Sequence, residues 1–204
     1  MKRYAFIDIQ NTASTAQSML GFFVDWNKLY NYLRYEKGCE KIFFYTGINN
    51  GDTDTAKEFE KLGILDGAIV RSKVVMAYKK KDKQHSFICY SCKTENAQVI
   101  DMGYEKKANC DVELTVDVLE MSDKAEGEEK EFFIFTGDGD FEFVIRNVIE
   151  KGVKVKIVSH AEKKITAGMT YSRYSTKLKN LVKEKPLLVD FLEINNLKFR
   201  IKKD

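Results

Sequence analysis

Two aspartates separated by one glycine, Asp138 and Asp140, follow directly on the apolar run Phe132-Phe133-Ile134-Phe135 and the turn residues Thr136-Gly137. A short apolar run that stops at turn residues reads as a strand covered on both faces, as in parallel sheets. Two carboxylates held so close repel each other, and a bound divalent cation relieves that repulsion. A second strand of the same kind, Tyr4-Ala5-Phe6-Ile7-Asp8-Ile9, carries Asp8 near its end and is followed by Asn11. A third acidic position, Asp111, opens a helix-like stretch. Oxygen donors of this type suit Mg²⁺ or Mn²⁺. A cation held by them activates water and stabilises charge on a phosphoryl group. Histidine chemistry is poorly supported, because His85 falls in a hairpin-like excursion and His160 follows the last clear strand.

These residues can meet only if the fold brings them to one edge. Strand-like runs at 4–9, 41–46, 68–78, 132–135 and 153–158 alternate with helix-like segments at 22–36, 53–65, 108–121 and 141–151. That alternation argues for an α/β fold with a parallel sheet and helices on both faces. In such a sheet the carboxyl ends of strands and the amino ends of helices gather at one edge, where ligands bind. Residues 12–21 are small and polar and read as a loop, and 153–158 alternates as a half-covered edge strand would. Asn109 is placed to cap the helix at 108–121. In that helix Asp111 has a plain reading as a first-turn charge, whereas Asp117 lies among apolar neighbours. Residues 187–192, after the single Pro186, resist assignment.

Between about 79 and 104 the pattern changes to a hairpin excursion that carries Cys89 and Cys92. Their spacing is that of a zinc knuckle, but a closed zinc site needs four ligands and no second pair exists. Two unligated thiols are therefore preferred to zinc. The chain has 204 residues, 44 % apolar and 32 % charged, enough for one domain with a substantial core. No apolar run approaches the roughly 18 residues of a membrane helix, and the start lacks the apolar region of a signal peptide. A cytoplasmic, membrane-free protein is expected. The net charge of +3 and the lysine clusters at 79–83, 106–107 and 163–164 read first as solvated surface.

Three segments together resemble the motifs of the NYN domain family in the PIN-like nuclease superfamily. They are Phe6-Ile7-Asp8-Ile9-Gln10-Asn11, then Lys107-Ala108-Asn109-Cys110-Asp111-Val112-Glu113-Leu114 with Asp117, then Thr136-Gly137-Asp138-Gly139-Asp140-Phe141. The resemblance spans about residues 4–158, and 159–181 is similar to the family's last helix. It implies a three-layer, Rossmann-like sandwich whose mainly parallel five-stranded sheet has the order 3-2-1-4-5. On it the chain is one domain, with a core at 4–181, a hairpin insertion at about 79–104 and an extension at about 182–204. It implies a metal-dependent endoribonuclease hydrolysing RNA, with Asp8, Asp111, Asp138 and Asp140 as catalytic, Mg²⁺- or Mn²⁺-binding residues. Asn11, Asp117 and Thr136 would support them, and Lys106 and Lys107 would steer the RNA backbone. Ala108 departs from the glycine often found there. A homodimer is compatible with all of this.

The rival readings are weaker. A haloacid-dehalogenase-type phosphatase needs an aspartate where Gln10 stands. A non-catalytic RNA-binding or adaptor module would have little use for clustered carboxylates that repel. Any one aspartate reads as a turn-former or cap, but that reading must be invoked separately for three segments.

Overall fold

The computed structural model describes residues 1–166 and 168–204, with all their side chains except those of Lys106, Lys107, Thr166 and Met169. The chain begins with β1 (Lys2–Asp8), α1 (Ile9–Leu20), α2 (Trp26–Asn31), a π-helical turn (Tyr32–Glu36), β2 (Cys39–Ile48), α3 (Thr53–Gly63) and β3 (Ala68–Val74). An arm follows, made of β4 (Met76–Lys79), β5 (Lys83–Ile88), β6 (Glu95–Ile100) and β7 (Tyr104–Lys107). The chain re-enters the body through α4 (Asp111–Ser122), β8 (Lys130–Phe135), α5 (Glu142–Glu150) and β9 (Lys154–Ser159). It ends with the small ribbon β10 (Lys163–Thr166) and β11 (Met169–Ser172), then α6 (Thr176–Glu184), β12 (Val189–Glu193) and α7 (Lys198–Ile201).

Six strands form the central sheet in the order β12-β9-β8-β1-β2-β3, and each neighbouring pair is parallel. Because successive side chains in a strand point to opposite faces, each interior strand feeds two cores. Ala5 and Ile7 of β1, with Phe133 and Phe135 of β8, pack under α1, α2, α3 and α7. Tyr4 and Phe6, with Phe132 and Ile134, pack under α4, α5 and α6. Every residue of β8 is buried, as the unbroken apolar run requires. A fully buried Phe or Ile contributes about 1.5–3 kcal/mol, so this layer anchors the sheet.

The sheet has one strand more than the five expected. Val189–Glu193 lies parallel to β9, so β9 is interior and not an edge. Residues 187–192 were unreadable because the strand is short and follows a proline. Residues after 182 also build the body: Ile194, Leu197 and Ile201 enter the core under the sheet. Beyond them, Lys203 N–H donates to Phe23 O at 2.8 Å.

Residues 12–21 are not a loop but most of α1. Asp8 caps that helix by accepting from Asn11 N–H, and Gly21 closes it at φ 69°. Its buried face is Ile9, Thr12, Thr15 and Ala16, residues too small and polar to register as an apolar stripe. The helix expected over 22–36 begins only at Trp26, behind an Asp25 cap. The strand expected over 68–78 divides at Val75: β3 stays in the sheet, while β4 leaves to pair antiparallel with β7. β5 and β6 pair antiparallel farther along the same excursion, as the hairpin reading expected.

Candidate active site

Asp8 stands at the carboxyl end of β1, which lies between β2 and β8. Ile7 pairs with Phe135 on one side and Asp8 with Tyr45 on the other. Asp8 Oδ1 accepts the Asn11 N–H at 3.0 Å, so capping α1 also fixes the carboxylate. Asn11 extends the link: its Oδ1 accepts the Gly137 N–H at 3.0 Å, tying the start of α1 to the turn after β8. Thr12 contributes a hydroxyl bond to Phe135 O at 3.3 Å. On the turn itself, buried Thr136 accepts the Asp138 N–H at 3.2 Å. Asp138 Oδ1 in turn accepts the Asp140 N–H at 3.0 Å. Asn11 and Thr136, two of the three side chains expected to support the acids, and Asp138, one of the acids themselves, thus hold the turn through hydrogen bonds to its backbone.

Gly137 is required by close approach. A Cβ there would lie 1.5 Å from the Arg173 carbonyl oxygen. The segment 173–175 lies directly on the turn, where Ser175 N–H donates to Gly137 O at 2.9 Å and Ser159 Oγ to Arg173 O at 3.0 Å.

The amino end of α4 brings the third acid. Asn109 Oδ1 accepts the Asp111 N–H at 2.9 Å, but the helix begins at Asp111 rather than 108 and its cap is Cys110, not Asn109 as expected. Lys73 clamps this start by donating to Asn109 O at 3.0 Å and pairing with Glu113 at 2.7 Å. Ala108, the departure from glycine, is accommodated across the cleft wall. A Cβ on Gly47 would fall 2.3 Å from the Ala108 Cβ, so Ala108 fills space that Gly47 leaves.

Asp8, Asp111 and Asp138 line one cleft of about 390 Å³, together with Asn11, Tyr45, Thr46 and Arg173. Asp140 lines an adjoining cleft of about 370 Å³, which shares Asn11, Asp138 and Arg173 and adds Ser175 and Lys177. The four acids are thus distributed over two adjoining clefts that share Asn11, Asp138 and Arg173. Their charges are felt mutually. Burial raises the Asp8 pKa from 3.8 to about 6 against its backbone hydrogen bond to Asn11, and Asp111 and Asp138 push it further up. Asp111 is also raised, first by burial and then, against the Asn109 side chain, by Asp138 and Asp140. Burial is the first cause of both shifts, and the neighbouring carboxylates add to it.

Asp117 lies elsewhere. It is 5 % exposed and takes the Tyr45 hydroxyl at 2.9 Å and a two-pronged bond from Arg71 at 3.1 and 3.2 Å. It reaches the cleft only through Tyr45, whose own pKa is pushed up by burial and by Asp117. The side chains of Lys106 and Lys107 lie outside the described residues; their backbone forms part of β7, at the root of the arm. His160 is buried, with Nδ1 2.8 Å from Glu193, away from both clefts. Arg173 is the site residue that sequence reasoning missed. It borders both clefts, and its guanidinium is held by Ser18 at 3.3 Å. No periodicity signals it, because it sits in the irregular link between β11 and α6.

The donor set is all oxygen, which fits a hard divalent cation. Among the described residues no three His, Cys, Asp or Glu groups are placed to hold a metal ion together. The set instead suits a cation that keeps several waters and takes one or two carboxylates at a time, as Mg²⁺ does.

A parallel α/β sandwich with acids gathered at the strand ends is the architecture of a PIN-like protein. The NYN domain model matches residues 3–173, and the chain belongs to the NYN domain family. It is 25 % identical over 156 residues to the low amplitude and bright protein LabA of Synechococcus elongatus, covering 76 % of this chain and 71 % of that protein. The fold is similar to the crystal structure of a protein of unknown function from Vibrio parahaemolyticus. The TM-score is 0.57 at 15 % identity, over 95 % of this chain and 92 % of that one. Among the described residues no helix is long and apolar enough to cross a membrane.

Proposed function

We propose that this protein is a metal-dependent endoribonuclease. The observation that carries the reading is that Asp8, Asp111, Asp138 and Asp140, from three separate segments, line two adjoining clefts, where burial and neighbouring acids raise the pKa of Asp8 and of Asp111. Membership of the NYN family, within the PIN-like nucleases, supports RNA as the substrate.

These four carboxylates would hold Mg²⁺ or Mn²⁺, which when bound supplies an activated water and charge neutralisation at the phosphate. The remaining work falls to the chain. Asn11 and Thr136 hold the 136–140 turn, so that Asp138 keeps its place beside Asp8. Arg173 offers the planar, always-charged group best suited to a phosphate oxygen, between the two clefts. Lys177, on the first turn of α6, adds positive charge to the second cleft. Lys73, bonded to Asn109 O and Glu113, fixes the start of α4, where Asp111 stands, relative to β3.

The test is cleavage of end-labelled single-stranded RNA by the wild type and by Asp138→Asn, in Mg²⁺, in Mn²⁺ and in chelator. The expected result is cleavage that needs the metal and disappears in the variant, while circular dichroism shows the fold retained. Absence of cleavage by the wild type on RNA and DNA alike, with RNA binding retained, would replace this reading by that of a non-catalytic RNA-binding or adaptor module.

A further inference from the structure

The tip of the arm has no part in the chemistry above, yet it carries two thiols on one turn. We propose that Cys89 and Cys92 are half of a structural zinc site, completed by the same pair from a second copy of this chain, so that zinc joins two arms tip to tip.

The turn is built to present both sulfurs. Cys89 N–H donates to Thr94 O at 2.9 Å, and Cys89 O accepts the Lys93 N–H at 2.9 Å, which folds Cys92 back beside Cys89. The fold-back needs a left-handed residue just after the second cysteine, and Lys93 supplies it at φ 59°. Among the described residues it is the one non-glycine with positive φ. A side-chain-bearing residue kept in that conformation costs stability, and such strain clusters where a ligand is held. Thr94, through its hydroxyl and backbone, hydrogen-bonds to Cys92, as does Cys89. The spacing of two residues between the thiols is the one a zinc knuckle uses.

One chain cannot finish the site. A structural zinc is closed by four ligands, commonly sulfur. The remaining cysteines are buried on opposite faces of the sheet, Cys39 at 0 % exposure in one core and Cys110 at 7 % in the other. Among the described residues no third His, Cys, Asp or Glu joins Cys89 and Cys92 to make a metal-holding group. Two more sulfurs must come from outside, and a second copy brings them in the same geometry, as a two-fold axis through the metal requires.

The tip is free to receive that copy. Every residue of β5 and β6 is exposed, and Ile88 and Tyr90 stand in solvent at 70 % and 90 % exposure on either side of Cys89. An isolated two-stranded hairpin is marginally stable in water. A tetrathiolate zinc with apolar residues closing round it supplies the stability that the arm lacks on its own. Lys93, next to Cys92, stacks its ammonium over the Tyr90 ring, 4.6 Å from the centroid. This inference stands apart from the nuclease reading and uses none of the cleft residues.

The test is zinc titration of the reduced full-length protein, with metal content and native mass read together. The expected result is one zinc per two chains, conversion to the mass of a dimer, and return to monomer with chelator. Co²⁺ in place of zinc is expected to give the absorption of a tetrahedral four-thiolate site. Cys89→Ser and Cys92→Ser change only the solvent-facing turn, and each is expected to abolish both uptake and dimerisation. Failure of the reduced wild type to take up zinc would overturn the proposal. So would one zinc per monomer, or a dimer that persists in both serine variants and in chelator.

Discussion

Asp8 is the last residue of β1, at the rim of the parallel sheet, and Cys92 lies in the turn after β5, at the tip of the arm. Asp8 is held by its place between β2 and β8, by the helix it caps and by a core on either face of the sheet. Those constraints keep it half buried beside other carboxylates, against an electrostatic cost that its raised pKa records. Cys92 is held by a single turn and a two-stranded ribbon with no core beneath it. In the cleft, packing overrules local preference and concentrates charge. On the arm, local hydrogen bonds set the geometry and leave the chemistry open to whatever arrives. Function placed on a rigid scaffold tolerates an electrostatic cost that a hairpin without a core has little to offset.

The contrast can be sharpened by experiment. The largest effect is expected at the cleft: Asp138→Asn should lower RNA cleavage by on the order of a hundredfold or more, since charge stabilisation at such a centre amounts to several kcal/mol.

Asp8→Asn should lose activity and gain stability. The folded protein binds the Asp8 proton more tightly than the unfolded chain does. In chelator, wild-type stability should therefore be fully retained below about pH 4, fall as the pH rises through about 6, and stay reduced above it. At about 1.4 kcal/mol per tenfold change in proton affinity, a rise from 3.8 to about 6 corresponds to roughly 3 kcal/mol. Asparagine still caps a helix, so thermal melts at pH 7.5 should show the variant above the wild type, with no difference near pH 4. Mg²⁺ should raise the wild-type melting temperature at pH 7.5 more than that of the variant. Equal melting temperatures at both pH values would mean that Asp8 carries no uncompensated charge.

Gly137→Ala should cost about 1–3 kcal/mol, because the added carbon must displace the 173–175 segment. Chemical denaturation measures it, and a neutral result would show that this segment moves freely. The smallest effect is expected on the arm. Ile88→Ser, 70 % exposed, should change the stability of the metal-free protein by less than about 0.5 kcal/mol. A larger loss would mean that the arm is packed against something even without metal.

The residues of the cleft were legible where a strand announced them. The apolar stretches Tyr4–Ile7 of β1 and Phe132–Phe135 of β8 run directly into Asp8 and into Thr136-Gly137-Asp138, so Asp8, Asp138 and Asp140 could be assigned to one edge from sequence. Helix α1 was not legible, because it buries two threonines and an alanine where a stripe of large apolar residues is expected. The sixth strand was hidden by its length and by the preceding proline. Arg173 and Lys73 were hidden because a lone basic residue in irregular chain looks like any solvated surface residue.

By itself, then, the sequence determined the alternation of strands and helices, the two-faced burial of the central strands and the aspartates at their ends. Burial periodicity and turn chemistry are local properties, written in neighbouring residues. Tertiary structure alone decided that Asp117 would face Tyr45 and Arg71 rather than the cleft, and that Arg173 would lie over Gly137. It also decided that the chain's last residues would close the core. Those outcomes depend on which distant segments pack side by side, and a linear pattern holds no record of that.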